Sequence, residues 1–173
     1  MLTRYFLLSL LLGMIPAALA FALATSQARP VELVVAAGDA SVTAGIGTRC
    51  WSGGECFAWG NALTPRFALI AQGQPTLTAR ARSLEKVVSA TAWPVTGEEL
   101  RIDFSQSNRL VWPGPTGKIH NLPANVEGDV LRVTANLEPG LYIVHLNLSF
   151  ENGYAEYGLL LHLLAAPTNV ARQ

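Results

Sequence analysis

The sequence predicts an all-β chain, an immunoglobulin-like antiparallel β-sandwich preceded by one N-terminal apolar helix. Two observations lead to this prediction. A continuous uncharged run, Tyr5–Ala24, stands near the N-terminus. From Val31 onward, short runs rich in β-branched and aromatic residues are separated by Gly, Pro and Asn, without a helical periodicity of useful length. Many short strands at this spacing are typical of a sandwich or barrel.

Composition sets the broad class of the chain. It has 173 residues, 50% of them hydrophobic and 14% charged, which indicates one domain of ordinary size that is too apolar for disorder. The 12 basic and 12 acidic residues give a formal net charge of zero, and neither sign occurs in blocks. Nothing is basic enough to neutralise a row of phosphates, so no nucleic-acid partner is expected.

The N-terminal segment has the order of a secretory signal peptide. Arg4 precedes Tyr5–Ala24, whose start is rich in leucine, and small residues end the run, so that cleavage after Ala20 or Ala24 would be natural. The alternative is a retained transmembrane anchor, because 20 apolar residues just span a hydrocarbon layer of about 30 Å. Arg4 stays inside in both cases, so the body is expected outside the cytoplasm, secreted or periplasmic or tethered to the membrane.

The chain is thus divided into four segments. Residues 1–24 are the signal peptide or anchor, 25–30 a polar linker, 31–166 the β-sandwich domain and 167–173 a C-terminal tail. Turn residues separate the predicted strands, which are Val31–Ala37, Phe67–Ala71, Thr76–Arg82, Leu84–Trp93, Leu100–Phe104, Arg109–Trp112, Val130–Asn136, Leu141–Phe150 and Tyr154–Leu164.

Cys50 and Cys56 are the only cysteines, in the segment C-W-S-G-G-E-C. In an exported chain, an even number at close spacing favours a disulfide, and small or polar residues between them suit a tight turn. A loop this short is expected to add about 2 kcal/mol by pinning a hairpin tip. The alternative is a metal or redox pair, although neither C-x-x-C nor a zinc-like spacing is present.

The last two strands predict a hairpin in detail. Asn152-Gly153 is a strong two-residue turn signal, and a turn at these residues pairs Glu151 with Tyr154, so that paired numbers sum to 305. One face of the hairpin is then apolar and is expected to form core: Tyr142, Val144, Leu146, Leu148 and Phe150 against Ala155, Tyr157, Leu159, Leu161 and Leu163.

A Pro-Gly turn leads into this hairpin. Pro139, Gly140 and Tyr142 resemble the tyrosine corner of immunoglobulin-like folds, in which the tyrosine hydroxyl bonds back to the preceding loop. The alternative is that Tyr142 is simply another core aromatic.

The order of these features resembles a family of small, uncharacterised, exported bacterial domains with an immunoglobulin-like β-sandwich fold. In that family a G-[ST]-x-C-W segment precedes a second Cys and a Thr-Pro, and a Pro-Gly-x-Tyr corner and a Tyr-Gly strand follow. The resemblance extends from about Gly45 to Leu164 and implies fold and location without any catalytic residues. The matching residues are Gly47, Thr48, Cys50, Trp51, Cys56, Thr64, Pro65, Pro139, Gly140, Tyr142, Tyr157 and Gly158.

Few residues are candidates for chemistry. His145 and His162 are expected diagonally on one face, within about 5–8 Å, which makes them weak metal candidates; packing is the alternative. An acidic cluster, Glu98, Glu99 and Asp103, is read as a solvated strand edge rather than a catalytic pair. No hydrolase or phosphate-loop motif occurs, so neither catalytic residues nor a cofactor is expected, and the protein is expected not to be an enzyme.

The segment around the cysteines is rich in aromatic residues. Trp51, Phe57 and Trp59 form a candidate binding loop that could stack on a sugar or anchor a partner protein. The alternative is that the tryptophan beside the disulfide packs against it.

These observations lead to three expectations of function. The first is a non-enzymatic extracytoplasmic interaction module with protein partners at or outside the membrane. It would be either an accessory subunit of a membrane protein complex, tethered by Tyr5–Ala24, or a free secreted domain. The second is a secreted domain that binds carbohydrate or envelope polysaccharide through the candidate loop. The third, and weakest, is a metal or small-ligand protein that uses His145 and His162.

Overall fold

The computed structural model describes residues 32–52, 54, 56–57, 67–97, 99–103, 109–111, 114–115 and 117–167, with the backbone alone for 101–103 and 109–111. The predicted N-terminal helix, the linker and the C-terminal tail from residue 168 lie outside these ranges. Within them, no helix is long and apolar enough to cross a membrane.

The described residues form strands of between two and twelve residues. They are β1 (Val34–Ala37), β2 (Ala40–Thr43), β3 (Gly45–Trp51), β4 (Leu69–Gln72), β5 (Thr76–Arg80), β6 (Leu84–Pro94), β7 (Arg101–Asp103), β8 (Arg109–Val111), β9 (His120–Asn121), β10 (Ala124–Glu127), β11 (Val130–Thr134), β12 (Gly140–Phe150) and β13 (Gly153–Leu164).

Two sheets confirm the predicted β-sandwich. The first has the order β10-β11-β5-β1-β2, and the second has the order β3-β13-β12-β6-β9. Neighbouring strands in these orders are antiparallel. The short β4 pairs in parallel with the last four residues of β13, beyond the half of β13 that pairs with β3. β7 and β8 pair antiparallel as a separate two-stranded sheet.

The two sheets are joined at both edges by segments that pass directly from one sheet to the other. At one edge β2 ends at Thr43 and β3 begins at Gly45, with the buried Ala44 donating its N–H to Leu33 O at 2.8 Å. At the other edge β9 in the second sheet leads within two residues into β10 in the first. Strands that switch sheets in this way make the corners of a sandwich and leave fewer free edges.

The core lies between the sheets and comes from alternate residues of the facing strands. All ten residues of the predicted hairpin face are buried, from Tyr142 and Phe150 on β12 to Ala155 and Leu163 on β13. They pack against Leu77, Ala79, Leu131, Val133 and Val35 of the first sheet. The period-two pattern of apolar residues therefore identified the inner face correctly.

The predicted pairing of the hairpin, however, is wrong by two residues. Phe150 pairs with Gly153 and Gly140 with Leu163, so paired numbers sum to 303 rather than 305. Glu151 and Asn152 make the turn, and Gly153 is the first residue of β13. A shift of two keeps every side chain on its face, which is why the core was still predicted correctly.

Candidate functional site

The outer face of the second sheet changes in character along its length. The registers of β6, β12 and β13 align its outward residues in rows of three. Starting from the end near β4, the rows are Trp93, Ile143 and Leu160; Thr91, His145 and Gly158; Ser89, Asn147 and Glu156; and Lys86, Ser149 and Tyr154. The first row is apolar, and the others are mostly polar.

The apolar row is buried although it lies outside the sandwich core. Trp93, Ile143 and Leu160 are 5%, 0% and 6% exposed and form a second cluster, separate from the main core. Ala68, Val95, Leu100 and Leu141 pack against it. A solvated outer face of an antiparallel sheet is usually polar, so this row marks a part of the surface that is covered.

Toward the edge of the sheet this row is followed by exposed apolar residues and by the exposed His162, which stands between Leu160 and Leu164 on β13. Ile70 on β4 is 53% exposed and pairs with His162, and Leu164 on β13 is 36% exposed. We call Ile70, Leu164 and the Trp93–Ile143–Leu160 row the apolar strip. One end of the strip is covered and the other faces solvent.

His145 lies on the boundary between the apolar and polar parts of the face. Its ring centroid is 6.2 Å from that of Trp93, and its Nε2 is 4.0 Å from Oε2 of Glu156. Burial lowers the pKa of His145, and the nearby charge of Glu156 raises it by less. The neutral imidazole is therefore favoured near neutral pH, and the contact with Glu156 is weak. The neighbouring Asn147 Oδ1 is buried without a hydrogen-bond partner among the described residues.

The structure does not bring the two candidate metal ligands together. His145 pairs with Gly158 and His162 with Leu141, so the two histidines are offset by four residues, or about 13 Å, along the strands. The predicted proximity of these histidines is wrong because it depended on the shifted register. His120 lies elsewhere, edge-on to Tyr142 at 6.3 Å. The described residues contain no group of three or more His, Cys, Asp or Glu side chains that could hold a metal ion.

The cysteines form the predicted disulfide across a small hairpin. Arg49 and Phe57 exchange both backbone hydrogen bonds, at 3.0 and 2.9 Å, and form an antiparallel bridge. Cys50 and Cys56 are the next pair outward, with Cα atoms 4.3 Å apart, as in a non-hydrogen-bonded pair of an antiparallel ladder. We call residues 49–57 the disulfide hairpin. The Sγ atom of Cys50 lies 3.3 Å from the hydroxyl oxygen of Tyr154.

The aromatic residues of the disulfide hairpin point in different directions. Trp51 packs on Phe150 with ring centroids 5.4 Å apart, at the margin of the core. Phe57 is 44% exposed, and the guanidinium of Arg49 lies 4.9 Å from its ring centroid. Of the three candidate binding residues, the structure therefore turns one to the core and one to solvent, and Trp59 lies outside the described residues.

The Pro-Gly turn leads Tyr142 into the core, and the predicted bond of its hydroxyl to the preceding loop stays a prediction. Tyr142 is 7% exposed, and its ring folds back over Gly140, where an added Cβ would meet its Cε2 at 3.2 Å. Burial and the charge of Glu138 raise its pKa. A bulkier residue at Gly140 would displace this ring.

The acidic cluster is divided by the fold. Glu99 accepts hydrogen bonds from the backbone N–H and hydroxyl of Thr96 at 2.7 and 3.0 Å, which closes a turn. Glu98 lies outside the described residues, as does the side chain of Asp103. The described part of the cluster is thus structural.

Sequence reasoning missed a shallow concavity on the outer face of the first sheet. It has a volume of about 470 Å³ and is lined by Glu32, Val34, Ala36, Thr78, Ala79, Arg80, Val130 and Arg132. Arg132 pairs with Glu127 at 3.2 Å, an exposed ion pair of little energetic weight. The alternation of inward and outward residues on β1, β5 and β11 could have indicated which residues face outward. It could not show that these three strands lie side by side, because their pairing depends on tertiary structure.

Comparison of the chain with protein-family models, with curated proteins and with solved structures finds no match.

Proposed function

We propose that this protein is a non-enzymatic extracytoplasmic interaction module. In this proposal it is an accessory subunit of a membrane protein complex that is held to the membrane by Tyr5–Ala24. Its partner subunits pack on the outer face of the second sheet. The observation that carries the proposal is the apolar strip, in which the exposed Ile70 and Leu164 lie near a covered apolar cluster on the same face.

The exposed end of the strip has the chemistry of a protein contact. Ile70 and Leu164 are 53% and 36% exposed, and Phe67, which precedes β4, is 73% exposed. Complete burial of one such side chain contributes about 1.5–3 kcal/mol. Two or three of them at the centre of a contact are enough to act as anchors, while the polar rows beside them supply a rim.

The disulfide supports the expected compartment. A disulfide between Cys50 and Cys56 persists in an oxidising environment and is rare in the cytoplasm. It agrees with export through the N-terminal segment, whether that segment is cleaved or retained. We also infer an immunoglobulin-like topology for the sandwich, which the fold of Tyr142 over Gly140 supports.

The proposed tether is tested by the intact mass of the unreduced protein taken from its own host. A mass that includes residues 1–24, in a protein that stays with membranes in high salt, is expected. A chain that starts at Phe21 or Thr25 and is recovered in the soluble fraction would reject the tether and leave a free secreted domain.

The proposed docking face is tested by a charge at its exposed end. Ile70→Asp is expected to release the protein from its detergent-solubilised complex, measured as a loss of the high-mass band in native electrophoresis. Val34→Asp is the matched control, because Val34 is 47% exposed but lies on the outer face of the other sheet. Retention of the complex by Ile70→Asp, or equal loss by both variants, would contradict the proposal.

The second candidate function is binding of envelope polysaccharide. The observation in its favour is that Phe57 and Tyr154 are 44% and 38% exposed at the same end of the second sheet. Trp51 contributes less than expected, because its ring packs on Phe150. Phe57→Ala is expected to abolish retention on envelope polysaccharide if this function holds, and unchanged retention would remove the loop from consideration.

A further inference from the structure

The disulfide hairpin lies beyond the point at which the described chain enters the sandwich, in the direction toward which β3 runs. Leu33 accepts a hydrogen bond from Ala44, the residue between β2 and β3. Because β1 runs antiparallel to β2, and β3 continues onward from β2, the chain enters β1 from the end toward which β3 runs. That end carries Trp51 and the disulfide hairpin.

The length of β3 is comparable to the reach of the segment that joins Ala24 to the domain. The seven residues of β3 cover about 20 Å at 3.3 Å per residue. The eight residue steps from Ala24 to Glu32 reach at most about 26 Å when extended. With an extended linker, a membrane that holds Tyr5–Ala24 is therefore within reach of this end of the second sheet, to which the hairpin and the adjacent Glu151–Asn152 turn belong.

The side chains at this end suit the interface between lipid and water. Phe57 is 44% exposed with a guanidinium against its ring, and Tyr154 is 38% exposed with its hydroxyl beside the disulfide. Aromatic residues with one apolar and one polar side concentrate at the headgroup level of membranes. In the sequence of the hairpin, the adjacent turns and the start of β6, three basic residues, Arg49, Arg82 and Lys86, stand against three acidic ones, Glu55, Glu85 and Glu151. This balance gives no preference for anionic lipid.

We propose that the disulfide hairpin is the membrane-facing end of the domain and that Phe57 inserts into the headgroup region of the bilayer. The proposal rests on the tether described under the proposed function. It adds an orientation, with the hairpin held against the membrane. The apolar strip near β4, at the opposite end of β13, is then directed away from the bilayer toward partner subunits.

Photocrosslinking of the full chain tests this orientation. p-Benzoylphenylalanine replaces Phe57 in one variant and Phe67 in the other, a matched control because Phe67 is the more exposed, at 73%, and lies by β4. Both variants are reconstituted alone into phosphatidylcholine vesicles, with and without phosphatidylglycerol, and irradiated. Lipid adducts are measured by mass spectrometry of the peptides. Replacement of an exposed phenylalanine by a longer aromatic residue leaves the core intact.

Several-fold more lipid adduct at position 57 than at position 67, with or without phosphatidylglycerol, is the expected result. Equal adducts at the two positions, or none at position 57, would overturn the orientation while the chain still remains in the vesicles, and the tether would stand. A chain that washes off the vesicles in high salt would overturn the tether and the lipid contact together.

Discussion

Gly153 lies directly against the backbone of Trp51. An added Cβ on Gly153 would be 2.8 Å from the Cα of Trp51 and would overlap the carbonyl oxygen of Cys50. Ser52 donates its N–H to Asn152 O at 2.6 Å in the same place. The first residue of β13 therefore allows β3 to approach, and through β3 it positions the disulfide hairpin on the second sheet.

Gly153→Ala is expected to lower the free energy of unfolding by about 2–3 kcal/mol, because the clash is with backbone atoms that cannot move aside independently. The measurement is the midpoint of urea unfolding. Gly97→Ala serves as the control, since no atom lies within 4 Å of its added Cβ. A change of less than about 0.5 kcal/mol is expected there. Equal effects of the two substitutions would show that β3 does not need this close approach.

Replacement of both cysteines by serine is expected to lower the free energy of unfolding by about 2 kcal/mol, since the disulfide closes a short loop in the unfolded chain. Urea unfolding with and without dithiothreitol measures the effect. The reductant should destabilise the natural protein and leave the Cys50→Ser/Cys56→Ser variant unchanged. An unaltered midpoint for the natural protein under full reduction would show that the disulfide does not stabilise the fold.

His145 makes the stability depend on pH in the acidic range. Its pKa in the folded protein is lowered by burial from the ordinary value of 6.5, so the unfolded chain binds a proton more readily. The stability that the neutral His145 contributes is complete above pH 6.5 and is lost as pH falls from 6.5 through the folded-state pKa. NMR titration of the imidazole should show a midpoint below 6.5, and Glu156→Gln should lower it further. A midpoint above 6.5 would contradict the described burial of this ring.

Tyr157 makes the stability depend on pH in the opposite direction, so that stability falls as pH rises in the alkaline range. Burial raises its pKa to about 12, and the charge of Arg49 lowers it by less. The contribution to stability is therefore complete below pH 10 and is lost as pH rises from 10 to about 12, by up to roughly 3 kcal/mol. Tyr157→Phe should flatten this loss in urea unfolding across that range, and Arg49→Met should raise the midpoint of tyrosinate absorbance. A tyrosinate midpoint near 10 would contradict the prediction.

The inner face of the last hairpin could be predicted from the sequence, whereas its pairing could not. Alternation along β12 and β13 fixes which residues face the core, from Tyr142 to Leu163, whatever the turn. Asn152-Gly153 has the local signature of a turn. In the structure the glycine is needed instead for the approach of a distant strand, and a requirement from tertiary packing leaves no local signal.

The candidate site was predictable only in part for the same reason. The disulfide followed from spacing and compartment, because Cys50 and Cys56 are close in sequence. The apolar strip was not apparent, since Ile143 and Leu160 interrupt a polar face and read as ordinary strand residues. Ile70 joins them only through the parallel pairing of β4 with β13, which links residues far apart in the chain.

β13 is the strand on which the second sheet depends, since it pairs with β3, β4 and β12. Its contacts with β3 include that of Cys50 with Tyr154, which are 104 positions apart along the chain. A nascent chain therefore cannot complete this sheet until β13 has been synthesised. Closing so large a loop is slow relative to local pairing. Before that point the second sheet is incomplete, which favours the unfolded state in which a polypeptide can be threaded through a narrow channel.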